Sequence, residues 1–350
     1  MTDRRSFLAS VGAGLVAGRA LPLLQGIDGR AQFSAWTWVH GGGAVGLAGW
    51  RTRYARLRAA GISGVLVGGG SLAMHAEAAH AEGMVLHAWT WTMNRSGDKA
   101  VKEAHPAWFS VSREGKSSLT SPPYVGYYQW LCPTRPPVRE YLAGVIDRIA
   151  ATPGVDAVHL DYIRHPDVIL PRNLWEQYKL VQDHEMPPYD FCYCEACRAG
   201  FRAAHGEDPA TLADAATNAV WERYRLDRLT EVVAHIRGWT GCRTLSAAVF
   251  PTPALARRNV RQDWSAWPLD AVMPMIYHRG YARPLAWIEA AAREGVDALA
   301  GRIPLYAGLL LSSFPTRELP AAIRAATAGG AAGVTLFNLA AKHYPQLPGG

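Results

Sequence analysis

The chain has 350 residues, enough for one large α/β domain with a sizeable core. With 49% hydrophobic and 19% charged residues its composition is globular, which excludes a disordered chain. The formal charge of +7 invites a nucleic-acid reading, but residues 1–31 hold Arg4, Arg5, Arg19 and Arg30 against Asp3 and Asp28. The remaining arginines form no basic stripe and no nucleic-acid motif, so no nucleic-acid partner is expected.

In chain order, the first element is a targeting segment. Asp3-Arg4-Arg5-Ser6-Phe7-Leu8 precedes an apolar run from Ala9 to Leu24 that Arg19 interrupts, too weak for a membrane span. It resembles a twin-arginine export signal, with Asp3 where Ser or Thr is usual and Ala9 where Lys is common. The other reading is a basic start on an ordinary N-terminal helix. The expected organisation is a signal segment at 1–31, cleaved between Ala20 and Ala31, followed by a barrel domain at 32–350. A twin-arginine translocase is the expected partner during export, to the periplasm or beyond.

Strand-like and helix-like stretches then alternate. The strands are expected at Gln32–Val39, Gly64–Val67, Met84–Trp91, Ala157–Ile163, Thr244–Phe250, Ala271–Tyr277, Ile303–Leu310 and Gly333–Asn338. Helices are expected at Trp50–Ala60, Leu72–Ala81, Pro137–Ala151, Trp221–Trp239, Pro284–Glu294 and Leu319–Ala326. This alternation predicts an α/β fold of the TIM (β/α)8 type. A doubly wound open sheet is disfavoured, because no G-x-G-x-x-G follows the first strand; Gly41–Gly43 and Gly68–Gly70 read as loop glycines. Insertions follow strands three and four. Asn94 to Pro136 reads as a β-hairpin over the barrel mouth, and His165 to about Ala210 as a long functional loop.

The fourth strand organises the rest. In Val155–Pro166, alternation sets Val158, Leu160 and Tyr162 on one face and Ala157, His159 and Asp161 on the other. Asp161 then stands at the C-terminal end of a barrel strand, where catalytic residues belong. The alternative is a pair with Arg164 or His159 that merely pins a loop.

Aromatic residues gather at the same end. Trp36 and Trp38 share a face of the first strand and Trp89 and Trp91 a face of the third. Some of these four are expected to stack on sugar, the others to pack in the core. His40 and His87 lie near strand ends but show no H-x-x-x-H or H-x-H zinc spacing, so they are assigned to substrate rather than metal. His159, Arg164, Gln262, Tyr277 and Asn338 complete the candidate substrate-binding set. Cys192, Cys194 and Cys197 form a C-x-C-x2-C cluster, and Cys132 in the other insertion is the natural fourth thiol. A structural zinc, a disulfide after export and free thiols all remain open.

Several motifs together resemble the bacterial glycosyl hydrolase-like 10 group. They are Val155–Pro166, His105-Pro106-Ala107-Trp108, Leu131-Cys132-Pro133-Thr134, Cys192–Phe201, Gln262-Asp263-Trp264 with Trp267, and Asp270–Tyr277. Ala157 stands where that group commonly has Gly, and His165 where it often has Tyr, a change expected to alter a sugar subsite. The resemblance implies a barrel acting on a polysaccharide or oligosaccharide. Glycoside hydrolysis generally uses two carboxyl groups and no cofactor is expected for it. Asp161 supplies one. No other predicted strand ends on Asp or Glu, so the partner is sought on loops: Asp263 first, then Glu185, Asp190 and Glu195. Asp263 could equally cap the turn that follows it. A barrel that binds glycan without cleaving it is the alternative function.

Overall fold

The computed structural model describes residues 33–240 and 243–347; the signal segment, Gln32 and Cys242 lie outside the described residues. Eight strands form the centre: β1 Ser34–His40, β2 Ile62–Gly68, β3 Val85–Trp91, β4 Ala157–Asp161, β5 Thr244–Val249, β6 Ala271–Pro274, β7 Tyr306–Leu310 and β8 Gly333–Phe337. All ladders are parallel, in the order β6-β5-β4-β3-β2-β1-β8-β7. The first strand pairs with the last, and bridges at Val272–Leu305 and Met275–Gly308 link β6 to β7. The result is the nearly closed (β/α)8 barrel expected from the alternation.

Ten α-helices accompany the strands among the described residues. They are α1 Leu47–Ala59, α2 Leu72–Ala81, α3 Lys99–Ala104, α4 Pro136–Ala150, α5 Trp175–Tyr178, α6 Glu195–His205, α7 Ala219–Thr240, α8 Pro253–Val260, α9 Trp287–Leu299 and α10 Leu319–Ala328. Local chemistry sets their ends. Ser71 caps α2 by accepting the Met74 N–H, Pro136 opens α4, and Gly206 closes α6 in the left-handed region. None of the described helices is long and apolar enough to cross a membrane.

Each strand divides its side chains between two cores. Val65, Leu86, Val158, Leu160, Leu245 and Val334 face the helices, while Trp36, Trp38, Leu66, Ala248 and Met273 fill the barrel interior. Two glycines of β2 make room for the inward indoles. A Cβ on Gly64 would stand 2.2 Å from the Trp36 ring, and one on Gly68 2.7 Å from that of Trp89. Gly68 is thus an interior strand position and not a loop glycine.

Two expected loops differ. The stretch after β5, which reads as an arginine-rich loop, contains α8: Thr252 accepts the Leu255 N–H at 3.3 Å and Pro253 occupies the first turn. The expected hairpin of the first insertion is reduced to isolated antiparallel bridges, Val111–Ser117, Phe109–Leu131 and Asn94–Trp130. The second insertion is held by a buried ionic cluster. Asp190, fully buried, pairs with Arg225 of α7, accepts the Tyr193 hydroxyl at 2.7 Å and lies 3.6 Å from Arg113. Arg261, after α8, pairs with Glu185 of the same insertion.

Candidate active site

β4 delivers Asp161 to the C-terminal rim of the barrel, in register with Trp91 of β3. Its two oxygens have different partners. Oδ2 accepts the Trp89 indole N–H at 2.9 Å, and Oδ1 accepts the backbone N–H of Tyr162 at 2.6 Å. Burial pushes the carboxyl above its ordinary pKa, outweighing the two donors and the more distant Arg164 charge. Tyr162 adopts φ +49°, a left-handed conformation that costs a bulky residue on the order of 1–3 kcal/mol. That bend turns its N–H onto Asp161. Neither loop-pinning pair forms: Arg164 binds Asp167 at 3.0 Å and His159 binds Ser246 at 2.9 Å.

Aromatic rings surround the carboxyl in two groups. Trp89, His40 and Phe337 form the first, with His40–Trp89 centroids 5.1 Å apart and Trp89–Phe337 6.4 Å. The second runs outward along the first insertion: Trp91 and Trp130 pack on Tyr162 at 4.8 and 5.4 Å, and Tyr127 lies 6.0 Å from Trp91. Trp91 is 37% exposed and Tyr127 46%, so this flank presents aromatic surface to solvent. The Tyr277 phenol is desolvated nearby, and burial together with the Asp161 charge pushes its pKa up. A cavity of about 440 Å³ opens beside the first group, lined by Trp38, His40, Arg53, Phe337, Asn338 and Tyr344.

The other sequence-predicted residues separate by depth. His87 and His159 point inward but lie below the rim, both hydrogen-bonded to Ser246 Oγ, at 2.8 and 2.9 Å. Burial holds His87 down at about 4 and His159 well below the usual histidine range. They are neutral core residues and not sugar ligands. Trp36, buried against His87 and Tyr306, is core as well. Trp38 is nearly buried, between His159 and Phe337, and is among the residues that line the cavity. Asn338 is exposed at φ +61° and donates to Ser312 Oγ at 3.1 Å.

Three expected roles need correction. Gln262 is fully buried, accepting the Phe250 N–H at 2.9 Å and donating to the Ile163 carbonyl at 3.0 Å, so it stitches two loops together. Arg164 is buried, its guanidinium stacked over the rings of Trp130, Tyr162 and Phe250 with centroids 4.8 to 5.2 Å away, and its ion pair is with Asp167. His165 is buried too, pushed down to about 3 by burial and by Arg225 and Arg261, and forms no sugar subsite.

Asp263 fits neither of its two expected roles. It stands at the N-cap of the short turn Trp264–Ala266 but makes no capping bond with its side chain. Its oxygens bind Arg223 of α7 at 2.8 Å and Arg257 of α8 at 2.9 Å. Burial would raise its pKa, but the two guanidinium groups outweigh that and hold it below the ordinary value. A role beside Asp161 would require both pairs to break. Glu185 and Asp190 are likewise paired, with Arg261 and Arg225, and Glu195 is exposed at the start of α6 and paired with Arg202. Phe337 and the Tyr127–Trp130 run were missed as site residues, although four aromatic residues between Tyr124 and Trp130 were a visible signal.

Comparison with known proteins bears on the fold and the family. Among solved structures, the chain is similar to the glycoside hydrolase domain of PgaB (BpsB) from Bordetella bronchiseptica, at 13% identity and TM-score 0.61, covering 89% of this chain and 95% of that one. It is also similar to a β-galactosidase from Marinomonas ef1, at 12% identity and TM-score 0.58, covering 87% of this chain and 54% of that one. The catalytic domain of a Paenibacillus polymyxa β-amylase is similar at 11% identity and TM-score 0.54, over 87% of this chain and 92% of that one. These likenesses show the barrel. Among curated proteins none matches the sequence. The model of the family described as Glycosyl hydrolase-like 10 matches residues 63–325, from the start of β2 through most of α10, and the chain belongs to that family.

Proposed function

We propose that the protein is an exported glycoside hydrolase that cleaves O-glycosidic bonds of a polysaccharide, with Asp161 as a catalytic carboxylate. The observation that carries this reading is the environment of Asp161: a desolvated carboxyl of raised pKa at the rim of the barrel, with no arginine bound to it. Such a group keeps its proton to higher pH than an exposed aspartate and suits a general acid that protonates the glycosidic oxygen. After the proton leaves, the Trp89 and Tyr162 N–H groups remain to stabilise the carboxylate. Aromatic faces at Trp91, Tyr127 and Tyr162 suit the apolar faces of sugar rings. No cofactor is needed for that chemistry. Family membership and glycan-active neighbours support the substrate class. Export rests on Arg4-Arg5; replacing both with Lys should leave the protein in the cytoplasm, and undiminished periplasmic recovery would remove that part of the proposal.

A non-catalytic glycan-binding barrel is the second reading. It is favoured by one observation: Asp263, Glu185 and Asp190, the leading partner acids, are all bound to arginine. The hydrolase reading therefore takes its second group from another carboxylate or from the substrate itself. Reducing-end release across a polysaccharide panel separates the two. Hydrolysis that drops by about 10²–10⁴-fold in Asp161→Asn, with unchanged folding, is the expected result. Retention on immobilised glycan with no release from any substrate supports binding alone. Near-wild-type turnover in Asp161→Asn rules the carboxylate out.

A further inference from the structure

Away from the rim, four thiols meet. Cys132 comes from the end of the first insertion, Cys192 and Cys194 from the second, and Cys197 from the first turn of α6. Their Sγ atoms all lie within 4.8 Å of one another, and all four residues are buried. Separations are 3.4 Å for Cys132–Cys197, 3.4 Å for Cys132–Cys194 and 3.8 Å for Cys194–Cys197. A disulfide requires about 2.05 Å. Four sulfurs at about 2.3 Å from a tetrahedral zinc ion stand roughly 3.8 Å apart. The observed spacings approach the second value and not the first.

The surroundings also suit a metal. Backbone N–H groups of Val111 and Cys194 point at Cys192 Sγ, at 3.4 and 3.5 Å, and the Thr134 hydroxyl lies 3.1 Å from Cys197 Sγ. Donors of this kind orient thiolate ligands and spread their charge. Phe191, Phe201, Trp221 and Tyr224 pack around the cluster and keep it dry. Four protein ligands would fill a tetrahedron, leaving no open position for substrate; such a site is structural.

We propose that Cys132, Cys192, Cys194 and Cys197 bind one zinc ion that clamps the two insertions together. Its consequence for the rim runs through a short path. Two residues before Cys132, Trp130 packs on Tyr162 and under Arg164, and between them Leu131 bridges to Phe109. Clamping Cys132 to the second insertion thus fixes the aromatic flank beside Asp161. Metal binding itself does not depend on whether that rim is catalytic.

The test uses the purified full chain. Elemental analysis should find about one zinc per chain, released when an organomercurial blocks the thiols and detected with a chromogenic chelator. Cobalt exchanged into the site should give a near-ultraviolet thiolate-to-metal band and the intense visible bands of a tetrahedral tetrathiolate. Cys192→Ser and Cys197→Ser should each lower the zinc content. If those variants fail to fold, the cobalt spectrum of the wild-type protein still decides the matter. Metal-free protein with all five thiols titratable, a disulfide among these four cysteines by mass spectrometry, or iron in place of zinc would each overturn the proposal.

Discussion

Asp161 is partly buried and Asp190 fully buried, and their surroundings push them in opposite directions. Asp190 has two guanidinium groups and a phenol within reach, and lies 3.9 Å from a third arginine, Arg261. Burial would raise its pKa, but Arg225, Arg261, Tyr193 and Arg113 together hold it below the ordinary carboxylate range. Asp161 has one indole and one backbone amide, and there burial wins. Asp190 is the more deeply buried of the two, so the cations placed nearby and not the depth of burial set the direction. Asp190 uses its charge to fix the second insertion against α7, whereas no arginine is bound to the Asp161 carboxyl. Sites of chemistry are found where a fold tolerates such an uncompensated group.

That contrast is breakable. The activity loss expected for Asp161→Asn is the largest effect. Next comes Asp190→Asn, which leaves the Arg225 guanidinium buried without its anion and should cost about 3–5 kcal/mol of stability. The pH dependence should then carry opposite signs. Asp190 has a depressed pKa when folded, so its contribution is complete above the unfolded pKa and is lost as pH falls through the lower folded value. Asp161 has a raised pKa when folded, so its ionisation costs stability above that value, and the cost vanishes below the unfolded pKa. Chemical denaturation at neutral pH should therefore show Asp190→Asn well below the wild type and Asp161→Asn level with it or above. Both gaps should close as acid is added. If Asp161→Asn is the more destabilised of the two, Asp161 is a structural group after all.

The same contrast explains which parts of the architecture are legible in the sequence. Strand runs such as Val65–Val67 and Ala271–Met273 are apolar on both faces, and that pattern marks a buried parallel sheet. Alternation also reveals which face Asp161 shares with His159. It does not reveal depth. Two residues along a strand are about 6.6 Å, enough to move a side chain from the rim to the sealed interior, where His159 and His87 share Ser246. Partners distant in sequence are equally hidden. Asp263 looks free until the fold brings Arg223, forty residues earlier, against it, and Gln262 looks like a sugar ligand until Ile163 and Phe250 take both ends of its amide. The cysteines are the converse case: the sequence points to Cys192, Cys194 and Cys197 with Cys132 as the fourth, and the fold brings these four together.

The smallest expected effect isolates the Trp89–Asp161 hydrogen bond. Trp89→Phe removes the indole donor at 2.9 Å from Oδ2 while keeping an aromatic ring between His40 and Phe337. That bond stabilises the ionised carboxyl, so its loss should raise the Asp161 pKa further and move the corresponding limb of the pH–rate profile upward. Turnover at its optimum should change by about tenfold or less, the equivalent of one hydrogen bond of roughly 1–1.5 kcal/mol. A variant that binds glycan more weakly but keeps the wild-type pH profile would show that Trp89 serves as a sugar platform and leaves the Asp161 proton alone. A variant with the shifted profile and intact binding would place the indole in the proton chemistry, and would distinguish Asp161 from every arginine-bound carboxylate in the chain.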